Sequence, residues 1–239
     1  MDLFGSALQD YHAGARGQML TIRRDDGHVD THDPGIYFAE EPFAHEVELL
    51  ALAEGPVLDV GCGAGRTLLW LSKQGVEATG IDVSPGAAAV ARARGCRDVR
   101  GTDVLAADYS VVPAAAFQTI ILFGNNVGIG GTIDGAELML RRLESATKAG
   151  GRLLVTGLDI AKTSAPHHLA YHQKNRDRGR PIGEIRMRFE YEGAVGAWVP
   201  WFHPEPPDML TIAKNTGWRL ERHMPAVGPF FGAVFRKVQ

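Results

Sequence analysis

The chain has 239 residues, 45% of them apolar, which is enough to bury a full core and fits one α/β domain with an elaboration. A formal net charge of −3 lacks the surplus of Lys and Arg that a polyanion partner requires, so nucleic acid is not an expected substrate. Two cysteines, Cys62 and Cys96, are too few for a disulfide framework and lack the paired spacing of a zinc site; reduced thiols in a cytoplasmic protein are expected. The opening MDLFGSALQDYHAG has no basic stretch followed by an apolar run, and nowhere do about 18 apolar residues follow one another, so neither a secretory leader nor a membrane span is expected.

In chain order, residues 1–40 are polar, rich in Asp, His and Gly, and weakly periodic, and read as an N-terminal arm with short helical pieces. From Glu41, the spacing of Phe43, Val47, Leu50 and Ala51 predicts a helix that Gly55-Pro56 stops. Val57 to Val60 is a short apolar run ending in a glycine loop, as a buried parallel strand would be. A helix over 67–74, a strand over 76–81 ending at Asp82, and an Ala-rich helix opened by Ser84-Pro85 follow. Short strands at 98–101 and 117–123, a helix at 132–148 and a strand at 152–156 continue the alternation. That rhythm predicts a mostly parallel sheet with helices on both faces.

The last third breaks the rhythm. A helix around 167–178 precedes Ile185, Met187, Phe189 and Tyr191, which alternate with polar residues as a half-buried strand should, and Gly193 to Gly196 can turn it into a second strand over 197–202. Residues 158–203 therefore read as an insertion before a helix at 204–215. Strands at 218–223 and 230–238, joined by a short link, form an antiparallel pair.

The loop Gly61-Cys62-Gly63-Ala64-Gly65-Arg66 sits where an open α/β sheet binds ligands, at a strand's carboxyl end with helix N–H groups beyond it. A dinucleotide fingerprint would need a glycine where Arg66 stands. Asp59, two residues before Gly61, would repel a pyrophosphate; it can orient the loop or receive an ammonium through water.

The run VLDVGCGAGR, residues 57–66, resembles motif I of class I S-adenosylmethionine-dependent methyltransferases of the bacterial small-molecule type, and the resemblance extends over residues 41–157 and the closing strands. It implies a Rossmann-like α/β fold: a seven-stranded, mostly parallel sheet with an antiparallel last strand and helices on both faces, plus the arm and a lid-like insertion after strand five. The cofactor implied is S-adenosyl-L-methionine, with S-adenosyl-L-homocysteine as product. By the same resemblance Asp59, Gly61, Gly63 and Gly65 belong to the cofactor loop. Asp82, with Val83 beside it, binds the ribose hydroxyls, for which a carboxylate is a sound acceptor. Asp103 stands near the adenine amino group with Val104 packed on the ring, and Gly150-Gly151 precede strand five. Small-molecule members fold an N-terminal segment over the cofactor, often with a tyrosine near the sulfonium, and Tyr37 is the candidate. The expected organisation is an arm or cofactor cover at 1–40 and a methyltransferase domain at 41–239 carrying a substrate lid at 158–203.

Methyl transfer from a sulfonium is an in-line displacement, so the protein mainly has to align the acceptor and exclude water. The acceptor should lie beyond strands four and five. Gly124 and Asn125 are placed there against the cofactor, with Asn126 facing the acceptor as a catalytic candidate. The residues lack the Asn/Asp-Pro-Pro-aromatic run of adenine-methylating relatives. On the predicted lid helix, His168, Tyr171 and His172 share a face, and His168 and Tyr171 are catalytic candidates for taking an acceptor's proton. No metal is expected, since no Cys or carboxylate is placed to complete a site with those histidines. The basic run 175–180 (NRDRGR) is a candidate anion contact, and Trp198, Trp201, Phe202 and His203 are candidate pocket walls. The function expected is methylation of N, O or C of a small metabolite, with a tailoring role in secondary metabolism, without nucleic-acid or membrane partners, as monomer or homodimer. A peptide or protein methyltransferase, a nicotinamide-dependent oxidoreductase and a non-catalytic cofactor-binding protein remain as alternatives.

Overall fold

The computed structural model describes residues 1–106 and 111–238. Among them the central sheet is built from strands β3 (Val57–Val60), β4 (Ala78–Asp82), β5 (Asp98–Gly101), β6 (Phe117–Leu122), β7 (Thr147–Leu158), β11 (Trp218–Val227) and β12 (Phe230–Lys237). Their order is β11-β12-β7-β6-β3-β4-β5. Pairs among β3 to β7 are parallel, and β12 runs antiparallel to both β7 and β11. The order reverses between β3 and β6, which opens a crevice at their carboxyl ends.

Alternation along the strands sends side chains to both faces. Ile120, Leu153 and Phe235 pack under α5 (Ile133–Ala146) and α7 (Pro206–Asn215), while their neighbours Ile121, Leu154 and Val234 pack under α2 (Val47–Leu50) and α3 (Arg66–Lys73). Local chemistry starts the helices. Ser84 accepts from Ala87 N–H to cap α4 (Pro85–Ala93), and Thr132 accepts from Gly135 N–H to cap α5. No described helix is long and apolar enough to cross a membrane.

Two segments depart from the sequence reading. The predicted helix from Glu41 shrinks to α2, because the Glu46 carboxylate turns back to accept from Phe43 N–H at 3.1 Å. The arm, read as short helical pieces, holds two of them, α1 (Leu3–His12) and a 3-10 turn at Pro34–Phe38, and in addition two strands that the sequence reading did not expect, β1 (Leu20–Arg24) and β2 (Val29–His32). These join β8 (Glu184–Tyr191), β9 (Ala194–Val195) and β10 (Val199–Phe202) in a second, antiparallel sheet ordered β10-β8-β1-β2, with β9 on β8. Arm and insertion are thus one structural layer, clamped by the bidentate pair Arg23–Glu190 at 2.7 and 3.0 Å.

The helix α1 rests on α4 through two glycines. A methyl group at Gly86 would lie 2.7 Å from the Cα of Gly5. We therefore expect Gly86→Ala to push the two helices apart and to cost about 1–3 kcal/mol by overpacking, read as a lower midpoint in urea unfolding.

Candidate active site

A continuous cavity of about 1120 Å³ lies between the carboxyl ends of the central strands and the second sheet. Gly61 follows β3, Asp82 ends β4, Asp103 follows β5, Gly124 follows β6 and Leu158 ends β7, and all five line it. Its other walls come from the arm, with Asp2, Phe4, Ile22, Arg24, His28 and Tyr37, and from the insertion, with His168, Tyr171, Ile185, Met187, Trp201 and His203.

Gly61, Gly63 and Gly65 all take positive φ (73°, 53° and 78°), the conformation that turns β3 sharply into α3. The Asp82 carboxylate braces the turn: Oδ2 accepts from Gly63 N–H and Oδ1 from Ser84 N–H, both at 2.8 Å. Each oxygen keeps a lone pair for a further donor. Burial pushes the Asp82 carboxyl upward, and the two amide bonds pull against it. Asp59, 3% exposed, is pushed up to about 7, mainly by burial, with the Arg66 charge offsetting part of it. Arg66 is held by a bidentate pair with fully buried Glu46 at 2.6 and 2.8 Å, and its guanidinium covers the Phe43 ring at 4.3 Å. That pair gives the arginine at the fourth-glycine position a role that its sequence context did not reveal.

The structure brings Asp59, Gly61, Gly63, Asp82, Val83, Asp103, Val104, Gly124, Asn125 and Tyr37 to the same cavity. Val83 is 68% exposed at the rim, Val104 is buried, and Asp103 accepts from Leu105 N–H in a local turn. Tyr37 packs edge-on against Phe4, and burial raises its hydroxyl to about 12. Gly65 stands behind the lining between Ala64 and Arg66, where a methyl would meet Cys96 Sγ at 2.4 Å and Ala91 Cβ at 3.1 Å, so the turn packs closely on α4.

The catalytic candidates also change. Asn126 spends its amide nitrogen on the carbonyls of Val60 (2.7 Å) and Gly61 (3.0 Å), so it braces the glycine loop and has no free donor for an acceptor. Asn125, at φ 65°, accepts from Leu158 N–H, and Gly124 N–H donates to Thr156. Tyr171 donates its hydroxyl to Asp25 at 2.7 Å, and burial and Asp25 push it upward, so it stands as a neutral phenol and takes no proton. His168 lines the cavity with Nδ1 3.0 Å from Arg24 Nη1. Because guanidinium only donates, Nδ1 accepts there, and burial keeps the ring toward its neutral form.

Of the proposed aromatic walls, Trp201 and His203 line the cavity, Phe202 is buried in the core, and Trp198 lies under Arg188 at 4.6 Å. The run 175–180 forms no anion pocket: Asn175 is buried and donates to the carbonyls of Ile182 and Glu184, and the other five residues are exposed. Sequence reasoning missed Asp2, which accepts from Ser84 Oγ and Gly86 N–H beside Asp82, and Arg24, His28 and Glu46. Nothing local in the sequence marks these four, because the partners that bring them to the site, Ser84 and Gly86 for Asp2, His168 for Arg24, His167 for His28 and Arg66 for Glu46, lie 20 or more residues away in the chain.

Residues 57–151 match a family model described as a methyltransferase domain. No curated protein matches the chain. Among solved structures, a SAM-dependent methyltransferase from Bacteroides fragilis in complex with S-adenosyl-L-homocysteine superposes with TM-score 0.83 at 24% identity, over 100% of this chain and 95% of that one. The CcbJ methyltransferase from Streptomyces caelestis gives 0.63 at 14% identity, covering 99% and 98%. A Burkholderia thailandensis 1,6-didemethyltoxoflavin-N1-methyltransferase, with 1,6-didemethyltoxoflavin and S-adenosylhomocysteine bound, gives 0.53 at 16%, covering 85% and 81%. The fold is that of the S-adenosylmethionine-dependent methyltransferases on which the chain superposes.

Removing one partner of a buried ion pair strands the other charge. We expect Glu46→Gln to lower stability by about 3–5 kcal/mol, measured by urea denaturation at neutral pH.

Proposed function

We propose that this chain is an S-adenosyl-L-methionine-dependent methyltransferase that methylates a nitrogen, oxygen or carbon of a small metabolite, with S-adenosyl-L-homocysteine as second product. The observation that carries the reading is the continuity of the cavity. It runs from the glycine loop and Asp82 to a histidine-rich end under the second sheet, and at about 1120 Å³ it exceeds the roughly 300–1,000 Å³ of a single small-ligand pocket. Cofactor and acceptor then lie end to end.

In this reading the backbone of the glycine loop approaches the methionine moiety and Asp59 faces its ammonium. The free lone pairs of Asp82 take the ribose hydroxyls, Asp103 and Val104 border the adenine, and Gly124, Asn125 and Tyr37 surround the sulfonium. The acceptor's lone pair forms the new bond to the methyl carbon as the carbon–sulfur bond breaks, and the sulfonium becomes a neutral thioether. Protein groups contribute alignment and exclusion of water, which the second sheet, built from the arm and residues 158–203, supplies as a lid over the cavity. His168, at the acceptor end, is the group that contacts the acceptor. The toxoflavin-precursor enzyme, with acceptor and S-adenosylhomocysteine bound together, supports a small, polar acceptor and a role in tailoring natural products.

Calorimetry should show one equivalent of S-adenosylhomocysteine bound to the pure protein, and Asp82→Ala should weaken it at least tenfold; an absence of any binding heat would sink the proposal. Mass spectrometry with a metabolite panel then identifies the acceptor by its added methyl group.

The pH dependence has a definite sign. Asp59 is raised to about 7 in the ligand-free site, so below that pH it carries a proton, whereas an ammonium partner favours the carboxylate. Binding therefore expels a proton, and affinity should rise from pH 6 to pH 8 and then level off. Titrations in buffers of different ionisation heat read the proton release, and Asp59→Asn should abolish it.

A further inference from the structure

The central helices bury their polar groups in pairs, but the acceptor end of the cavity does not. Among the described residues, four buried side-chain polar atoms lack a hydrogen-bond partner, and three are imidazole nitrogens of His28, His32 and His203, all lining this cavity. An unmet buried polar atom costs on the order of 1–3 kcal/mol, so a cluster of them calls for a ligand.

One of these rings belongs to a convergent set. His28, in the turn between β1 and β2, stacks on His167 at 4.2 Å and meets His168 edge-on at 5.0 Å, while His167 and His168, in the first turn of α6 (Pro166–Asp177), are 4.1 Å apart. One ring nitrogen from each lies within 4.8 Å of the other two. We propose that His28, His167 and His168 form a site for a divalent transition-metal ion of the zinc type at the acceptor end of the cavity.

Imidazole nitrogens suit zinc, nickel and copper, and the expectation of no metal rested on the absence of a Cys or carboxylate placed to join the helix histidines; a third imidazole from outside the helix was not considered. The fold supplies that imidazole, His28, from 139 residues before His167 in the chain. Two nitrogens sharing a zinc ion at about 2.05 Å stand about 3.4 Å apart, so from spacings within 4.8 Å the nitrogens have to close by about 1 Å, and the stacked His28 and His167 rings, 21° from parallel, have to turn about their side-chain bonds until their in-plane lone pairs converge. The carboxylate of Asp30 is 3.3 Å from Nε2 of His28, close without forming a well-aligned hydrogen bond, and is in reach as a fourth ligand.

The charges permit a cation. Asp25, Asp26 and Asp30 surround the cluster against Arg24 and, beyond the Tyr171 ring, Lys174, leaving one negative charge. Ligation through His168 Nδ1 displaces one bond of Arg24, which keeps its bidentate pair with Asp26 at 2.8 Å and its contact to the His167 carbonyl. His167 is exposed, which gives the ion an entry path. An ion held by the three histidines alone would keep a fourth position for an acceptor hydroxyl or amine, which would then lose its proton more readily; with Asp30 bound as well, the site would be closed. That role rests on the methyltransferase reading; the metal site does not.

The test uses the full chain without an affinity tag, stripped of metal, and titrated with zinc chloride by calorimetry and with cobalt chloride by visible absorption. We expect one equivalent of zinc bound with a dissociation constant below about 1 μM, and cobalt bands of a nitrogen-ligated site. His28→Ala and His167→Ala should each weaken zinc at least 30-fold, whereas His223→Ala, on an exposed strand remote in sequence, should not. S-adenosylhomocysteine binding, measured on the same samples, reports folding and tests the cofactor reading separately. Substoichiometric zinc binding, or equal affinity in the His28 and His167 variants and the parent protein, overturns the metal site.

Discussion

The tie between Asn126 and the loop after β3 is the interaction on which the cavity's floor depends. Its amide holds the carbonyls of Val60 and Gly61 just as the chain leaves the sheet, and Gly61 has no room for a side chain because Asn126 occupies it: a methyl there would meet Nδ2 at 2.5 Å. The stretch around Asn126, residues 125–128, reaches outward in two other directions. Asn125 holds the end of β7, and Gly128 seats Trp201 of β10 so closely that a methyl at Gly128 would fall 2.2 Å from the indole nitrogen. One loop thus sets the glycine turn, the end of the fifth parallel strand and the position of the roof.

Electrostatics in this floor are governed by burial. Asp59 and Asp82 are both desolvated carboxylates, but they are braced differently: Asp82 has two backbone donors, whereas the countercharge nearest Asp59 is an arginine already committed to Glu46. The result is one acidic group held in place as an acceptor and another poised to titrate near neutrality when a cation arrives.

The roof has a different origin. A five-residue strand from the arm and an eight-residue strand from the insertion are partners, with Thr21 opposite Glu190 and Arg24 opposite Met187. Their inward faces carry Ile22, Ile185 and Met187 over the cavity, while the β1–β2 turn delivers His28 to the start of α6. Apolar walls and a polar histidine end are thus two products of one strand pairing.

The order of strands and helices, the glycine turn and the acid ending β4 were legible in the sequence because each is a local pattern: apolar runs of strand length, a capped Ser84-Pro85 start, and an acidic residue at a strand end. Asn126 was visible as a polar residue near the crevice, but its role was not, since an asparagine beside a cavity and one bonded across it have the same local sequence. Tyr171 was misread as a proton acceptor for the same reason, since its bond to Asp25 crosses from another segment. What the chain determined by itself is the α/β core and the ligand-facing end of it, through periodicity and turn chemistry acting over a few residues. What only tertiary structure decided is the roof and the polar end of the cavity, because strand partners 167 residues apart and rings brought together from the arm and α6 leave no pattern within either segment.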